Sequence, residues 1–260
     1  MSAGLRAAPK PVSWQVKWFT YLFVWPLLGL ATIGFGCISL ICGLWDNSGS
    51  QQHAIASAWA KVLLLISLSP VKLIGRENLP KGTAAVYASN HLSYYDTPVL
   101  FGKLPFQFRI MAKKSLWPIP FVGWYLNHSG QVPIDVHSSR SAVASLLRGV
   151  KTLQNGLPLV IFPEGGRAQF GKMTPFQSGA AFMAIKAQVP LVPLALVGTY
   201  EMLPIHTYSL TPRPLKIVVG QPISTEGMTT RDAEALTDRL YAEITALYAA
   251  HHIEAEGSGE

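Results

Sequence analysis

Two short segments carry side chains able to do chemistry together. The first is Asn90-His91-Leu92-Ser93-Tyr94-Tyr95-Asp96, in which a carboxylate follows an imidazole five positions later. A carboxylate that accepts the Nδ1 proton fixes the imidazole tautomer and leaves Nε2 as a general base. On a regular helix, residues five apart point about 140° away from each other, so the two meet only if His91 precedes the first helical turn. The protein need not supply a serine, because such a base can activate a hydroxyl that belongs to the substrate. No Gly-x-Ser-x-Gly elbow occurs in the chain. The second segment is Phe162-Pro163-Glu164-Gly165-Gly166-Arg167. It describes a tight loop that presents one acid and one fork-shaped cation, and an arginine on such a loop suits a phosphate. An internal Glu164–Arg167 ion pair that merely holds the turn is the competing reading.

Positioning these groups requires strands that end where each segment begins. Short apolar runs rich in β-branched residues predict strands at 71–74, 84–89, 108–111, 159–162, 191–197 and 215–219, and helical periodicity predicts helices at 95–102, 121–128, 140–155, 179–188 and 230–249. The alternation reads as α/β: a mixed, largely parallel sheet flanked by helices, preceded by an N-terminal hydrophobic helical hairpin. Both segments then fall beyond the carboxyl ends of strands, where ligands bind in such sheets. The last helix has Leu236, Leu240, Ile244, Leu247 and Tyr248 on one face, with Thr229 and Asp232 at capping-box spacing. The chain thus divides into a membrane-associated helical segment (1–70), the main domain (71–250) and a polar, flexible tail (251–260).

Composition narrows the environment. Of 260 residues, 49% are hydrophobic and 13% charged, whereas ordinary soluble domains approach about a quarter charged. With a mean hydropathy of +0.27, this excludes an intrinsically disordered chain and points to membrane contact. From Trp18 to Trp45, 28 consecutive residues lack Asp, Glu, Lys, Arg and His, more than the roughly 20 that cross a hydrocarbon core as helix and longer than a cleaved signal. Pro26, Gly29, Gly34, Gly36 and Gly43 are expected to kink or split this segment, and Trp14, Trp18, Trp25 and Trp45 to anchor it at the interface. A second apolar stretch, 54–70, is interrupted by Lys61. Arg6, Lys10 and Lys17 precede the pair and Lys72, Arg76 and Lys81 follow it, while the turn at 46–50 has no Lys or Arg; both ends of the hairpin are expected on the cytoplasmic side. Cys37 and Cys42 lie inside the apolar run, where buried packing thiols are expected. Residues 1–225 hold 19 Lys/Arg against 6 Asp/Glu, a balance of +13, and residues 226–260 hold 2 against 8, a balance of −6. The basic body suits anionic lipid headgroups, phosphorylated substrates or an acidic carrier protein. Nucleic acid is disfavoured, because no Lys/Arg run exceeds Lys113-Lys114 and no zinc-ligand spacing is present. His128, His206, His251 and His252 lack a partner at useful spacing and read as surface or core histidines.

Together the two loops resemble the glycerolipid acyltransferase family, specifically its 1-acyl-sn-glycerol-3-phosphate acyltransferases. Asn90, His91 and Asp96 match the first signature, Asn-His-x-x-x-x-Asp, and Phe162 to Arg167 match the third, Phe-Pro-Glu-Gly-x-Arg. Lys113-Lys114-Ser115-Leu116, the run 119–123 and Gly130 with Ile134-Asp135 look like the second block, and 189–194 like the fourth. The resemblance covers about residues 70–222 in the family's order. It departs where Gly166 and Ala168 flank Arg167 in place of two hydroxyl residues, and where Val136 follows Asp135 in place of arginine. Arg140, His137 and Lys113 are the candidates to replace that phosphate-contacting arginine.

The resemblance implies a membrane-bound O-acyltransferase of phospholipid biosynthesis, with no metal and no other cofactor. Its donor would be acyl-CoA or acyl-carrier protein, its acceptor the sn-2 hydroxyl of lysophosphatidic acid, and its product phosphatidic acid. In this scheme His91 is the catalytic base and Asp96 its orienting carboxylate; Asn90, Lys113, Glu164, Gly165 and Arg167 bind substrate. Backbone N–H groups near the helix start would hold the oxyanion, and the block Trp117 to Leu126 would line an acyl channel or form an ordinary core and membrane-facing helix. The place implied is the inner membrane, with the catalytic domain on the cytoplasmic side. Alternative acceptors are a lyso-ornithine lipid, another lysophospholipid or glycerol 3-phosphate. A non-catalytic lipid-binding protein is the remaining alternative, against which Asn90, His91, Asp96 and Glu164 all speak.

Overall fold

The computed structural model describes residues 13–46, 48–135, 138–167 and 171–256; Arg6, Lys10 and His137, singled out above, lie outside them. The chain opens with α1 (Trp14–Phe19), a π-helical turn (Thr20–Val24) and α2 (Trp25–Cys42). These join as one helix of 29 residues, in which an 18-residue stretch has a mean hydropathy of 1.9, by length and composition enough to cross a membrane. The helical turns run unbroken from Trp14 to Cys42, so the segment is not split. Pro26 lies at the start of α2, and the preceding π turn, in which the Trp25 N–H reaches back to the Thr20 carbonyl, widens the helix where the proline ring would strike the preceding turn.

The hairpin forms as expected. Helix α3 (Ser50–Ile66) pairs Gln52 with Ser39 and Trp59 with Thr32, a register that sets it antiparallel to α2. Its start is fixed by Asp46, whose Oδ1 accepts from the Ser48 and Gly49 N–H groups and whose Oδ2 accepts from Gln52 N–H, satisfying donors that a helix start leaves open. Much of α2 remains uncovered. Leu30, Ile33 and Ile41 are exposed, and so is Cys37, contrary to the expectation of a buried packing thiol; Cys42 is half-buried.

The sheet contains β1 (Val71–Ile74), β2 (Val86–Ser89), β3 (Arg109–Lys113), β4 (Val132–Ile134), β5 (Leu159–Ile161), β6 (Leu191–Val197) and β7 (Leu215–Val219), in the order β1-β7-β6-β2-β5-β3-β4. Pairing is parallel except between β6 and β7, so β1 and β7 run against the other five. The carboxyl ends of β2 to β6 therefore share one edge. Strand β4 was not expected from the sequence; it is three residues long with Pro133 at its centre, which its position at the sheet edge tolerates.

The helices that cover the sheet are α4 (Asp96–Lys103), α5 (Val122–His128), α6 (Ser139–Gln154), α7 (Gly179–Ala187), α8 (Thr199–Met202) and α9 (Ala233–Glu256). Leu63 of α3 and Val99 and Leu100 of α4 share one core with Tyr87, Val192, Leu194 and Leu196. Leu153 of α6, Met183 of α7 and Leu240 of α9 share the other with Val86, Ala88, Leu191 and Ala195. Successive residues of β2 thus enter opposite cores, which is why these strands read as continuous apolar runs and not as polar alternations. The Thr229–Asp232 capping box forms, and α9 runs to Glu256, past the expected end at 249 and into the stretch assigned to the tail.

Candidate active site

Strands β2 and β5 are neighbours, so the loops that leave them meet. His91 stands just beyond β2 and before α4, of which Asp96 is the first residue. The geometric demand is met: His91 Nδ1 lies 2.8 Å from Asp96 Oδ2. The same oxygen accepts from the backbone N–H groups of Leu92 at 2.7 Å and Ser93 at 2.8 Å. Asp96 is wholly buried while the His91 side chain keeps 17% exposure. The Phe162 ring stacks on the imidazole with centroids 3.9 Å apart and planes 13° from parallel. With Nδ1 held by the carboxylate, Nε2 has no hydrogen-bond partner among the described residues.

Glu164 ties the two loops together. Its Oε1 accepts from the His91 backbone N–H at 2.7 Å, and its Oε2 from Thr174 N–H at 2.9 Å and Thr174 Oγ1 at 3.1 Å. Burial pushes this carboxyl above its usual range, and the hydrogen bonds from Thr174 and His91 pull it back. Glu164 therefore serves the loops with both oxygens, and the alternative Glu164–Arg167 ion pair is not formed among the described residues. Arg167 instead lays its guanidinium over the Tyr94 ring, 3.8 Å from the centroid. Gly165 answers a backbone requirement: its φ is +71°, and a Cβ there would lie 2.5 Å from Gln177 Nε2.

Asn90 is committed to the fold. It is fully buried; its Nδ2 donates to Leu196 O at 3.0 Å, and its Oδ1 accepts from Leu196 N–H at 2.7 Å. The side chain clamps the loop to the neighbouring strand β6. Asn90→Ala leaves both Leu196 groups unpaired in the core, and thermal or urea unfolding should show a loss of about 2–4 kcal/mol. Lys113 is exposed at the end of β3, on the same edge of the sheet as His91. Its neighbour Lys114 is paired with Asp135 at 2.9 Å, and Arg140 is exposed near the start of α6.

Four backbone N–H groups ahead of the helix start are engaged within the loop. His91 N–H binds Glu164, the Leu92 and Ser93 N–H groups bind Asp96, and Tyr95 N–H binds Ser93 Oγ at 3.2 Å. These amides hold the loop in shape. In the block Trp117 to Leu126, Ile119, Phe121, Val122 and Trp124 are exposed and only Gly123 and Leu126 are buried, so it forms apolar surface in place of an enclosed channel wall. Sequence reasoning did not single out Phe162, Tyr94 or Thr174. Phe162 stood in its motif with no role assigned and Tyr94 as a spacer, and nothing local connects Thr174 to Glu164.

A buried carboxylate thus steers a half-open imidazole at the carboxyl edge of a mixed sheet, with a Gly-rich arginine loop alongside, the make-up of a general-base enzyme site. A sequence model of the family described as Acyltransferase matches residues 70–197, and with a relative 34% identical of which 68% is covered the chain belongs to that family. Among its relatives is the 1-acyl-sn-glycerol-3-phosphate acyltransferase of Saccharomyces cerevisiae, 34% identical over 209 residues, which cover 78% of this chain and 68% of that protein. The chloroplastic 1-acyl-sn-glycerol-3-phosphate acyltransferases of Arabidopsis thaliana and Brassica napus are 35% and 34% identical over 177 residues, 66% of this chain. The chain spans about half the length of these two, 48% and 50%. The fold is shared with the crystal structure of the 1-acyl-sn-glycerophosphate (LPA) acyltransferase from Thermotoga maritima at a TM-score of 0.74 and 24% identity, over 88% of this chain and 94% of that one.

Proposed function

We propose that the protein is a membrane-bound O-acyltransferase that moves a fatty acyl group from an acyl thioester, acyl-CoA or acyl-carrier protein, to the sn-2 hydroxyl of 1-acyl-sn-glycerol 3-phosphate, forming phosphatidic acid. The observation that carries this reading is the His91–Asp96 pair, which fixes Nδ1 at 2.8 Å and leaves Nε2 unpartnered on a half-open loop. Nε2 takes the proton of the acceptor hydroxyl as its oxygen attacks the thioester carbonyl. The tetrahedral intermediate collapses with cleavage of the C–S bond, and the thiolate leaves with the proton held by Nε2. Asp96 stabilises the imidazolium between the two transfers. The names of the relatives support lysophosphatidate as acceptor, and Arg167 supplies a cation for its phosphate, with exposed Lys113 at the same sheet edge as a second. Glu164 and Gly165 act through the shape of the loop that carries Arg167, and Asn90 through the loop that carries His91.

Arg167→Lys keeps the charge but loses the planar fork, so the acceptor KM should rise about tenfold with kcat changed much less; an unchanged KM in steady-state assays makes Arg167 structural. The decisive assay incubates purified protein with labelled acyl-CoA or acyl-carrier protein and a panel of lysolipids: lysophosphatidate, a lyso-ornithine lipid, other lysophospholipids and glycerol 3-phosphate. Diacyl product from lysophosphatidate supports the reading. Product only from another acceptor replaces the substrate, free fatty acid alone indicates a thioesterase, and no turnover leaves a lipid-binding protein.

Helix Trp14–Cys42, long and apolar enough to cross a membrane, supports a membrane location, and Lys17, Lys72, Arg76 and Lys81 flanking the hairpin favour an inner membrane with the catalytic domain on the cytoplasmic face. Cys37 provides the check, because it is exposed on α2. In a Cys42→Ser background, a membrane-impermeant maleimide should label it only after detergent solubilisation; rapid labelling in intact membranes contradicts embedding.

A further inference from the structure

We infer that Tyr94 is a positioning residue for acceptor binding, holding the Arg167 guanidinium by stacking so that its N–H edge stays available to an oxyanion. The inference rests on the reading of Arg167 as the acceptor's phosphate contact. Tyr94 and Tyr95 are adjacent in the loop between β2 and α4 but face opposite ways. Tyr95 is 4% exposed, and its hydroxyl pairs with Ser67 just beyond α3, so it docks the helical hairpin on the domain. Tyr94 is 47% exposed, and among the described residues its ring meets the guanidinium of Arg167 at 3.8 Å from the centroid. An aromatic ring with no interior to fill has a different use, and here it lies directly against the cation of the other loop.

The chemistry of the pair separates orientation from consumption. A guanidinium carries five N–H donors in its own plane, and a carboxylate partner would occupy two of them as a fork. Stacking uses the π face and leaves the edge open. Among the described residues no hydrogen bond or ion pair of Arg167 competes, because both oxygens of Glu164, three positions away, are held by His91 and Thr174. Tyr94 belongs to the loop that carries His91 and Asp96, so the stack also sets the distance between the phosphate cation and the base. An acceptor gripped at its phosphate is then presented to Nε2 at a fixed reach.

The test is steady-state kinetics of the full-length protein with 1-acyl-sn-glycerol 3-phosphate as acceptor. Tyr94→Leu should raise the acceptor KM about three- to fivefold, the worth of an exposed cation–π contact, with the donor KM unchanged, and Tyr94→Phe should restore the wild-type value. In a Tyr94→Leu/Arg167→Ala protein the acceptor KM should be no higher than in Arg167→Ala alone, since the ring acts only through the cation. If Arg167→Ala raises the acceptor KM while Tyr94→Leu does not, or if the two effects multiply, stacking is overturned and the role of Arg167 stands. If Arg167→Ala leaves the acceptor KM unchanged, the phosphate assignment of Arg167 falls and the stacking role falls with it.

Discussion

Alanine in place of His91 should leave a folded protein whose turnover is lowered about 10³-fold or more, the upper range for removal of a general base. The fold should survive because the loop does not depend on the imidazole: the His91 backbone N–H still binds Glu164, the Leu92 and Ser93 N–H groups still bind Asp96, and Asn90 still clamps Leu196. What the substitution takes away is the hydrogen bond to Asp96 and the stack on Phe162. Initial rates with labelled acyl thioester and lysophosphatidate, read beside thermal unfolding, separate the two effects. A near-normal rate removes His91 from the chemistry.

Asp96 is expected to give the second large effect, with a different division between rate and stability. Its Oδ2 holds three donors and its Oδ1, though buried, has none. In Asp96→Asn the amide oxygen can take the place of Oδ2 and keep the loop, but the charge that stabilises the imidazolium is gone. If the amide turns the other way, its NH2 faces Nδ1 and selects the tautomer with Nε2 protonated. Either way the rate should fall by about 10²–10⁴-fold. Asp96→Ala should be equally slow and, unlike Asp96→Asn, lose about 2–4 kcal/mol of stability, because the Leu92 and Ser93 amides are left without an acceptor. The double variant His91→Ala/Asp96→Asn should be no slower than the worse single variant, as expected of residues that act as one unit. Multiplying effects would assign Asp96 a role independent of His91.

The parts of this arrangement that were legible in the sequence are those written locally. Strand β6 matches its expected bounds because a strand buried on both faces is a continuous apolar run bounded by turn residues; β1 and β7 match theirs as well, although each carries a lysine, Lys72 and Lys216. Angular spacing set the condition under which His91 meets Asp96, a place ahead of the first helical turn, and the structure fulfils it. The parts that were not legible depend on partners far along the chain. Asn90 was assigned to substrate because its motif contains it, yet its amide is committed to Leu196, 106 residues away. Glu164 carries the same lesson, since both its oxygens accept hydrogen bonds from within the chain, from His91 and Thr174. Nothing in Tyr94-Tyr95 says which ring turns inward; the docking of α3 decides it through Ser67. Likewise Cys37 was expected to be buried because it is apolar, but how much of α2 its neighbours cover is a property of the assembled fold.

If the acceptor oxygen attacks the thioester directly, the protein never carries the acyl chain. Intact-mass spectrometry of the wild-type protein, quenched during a single turnover with acyl thioester, measures this without reference to any mutant. The mass should stay that of the unmodified chain with donor alone, and diacyl lipid should form only once lysophosphatidate is added. A protein heavier by one acyl group before the acceptor arrives, discharged when it does, would mean that a side chain of the protein and not the acceptor hydroxyl is the nucleophile, and that His91 serves some other step.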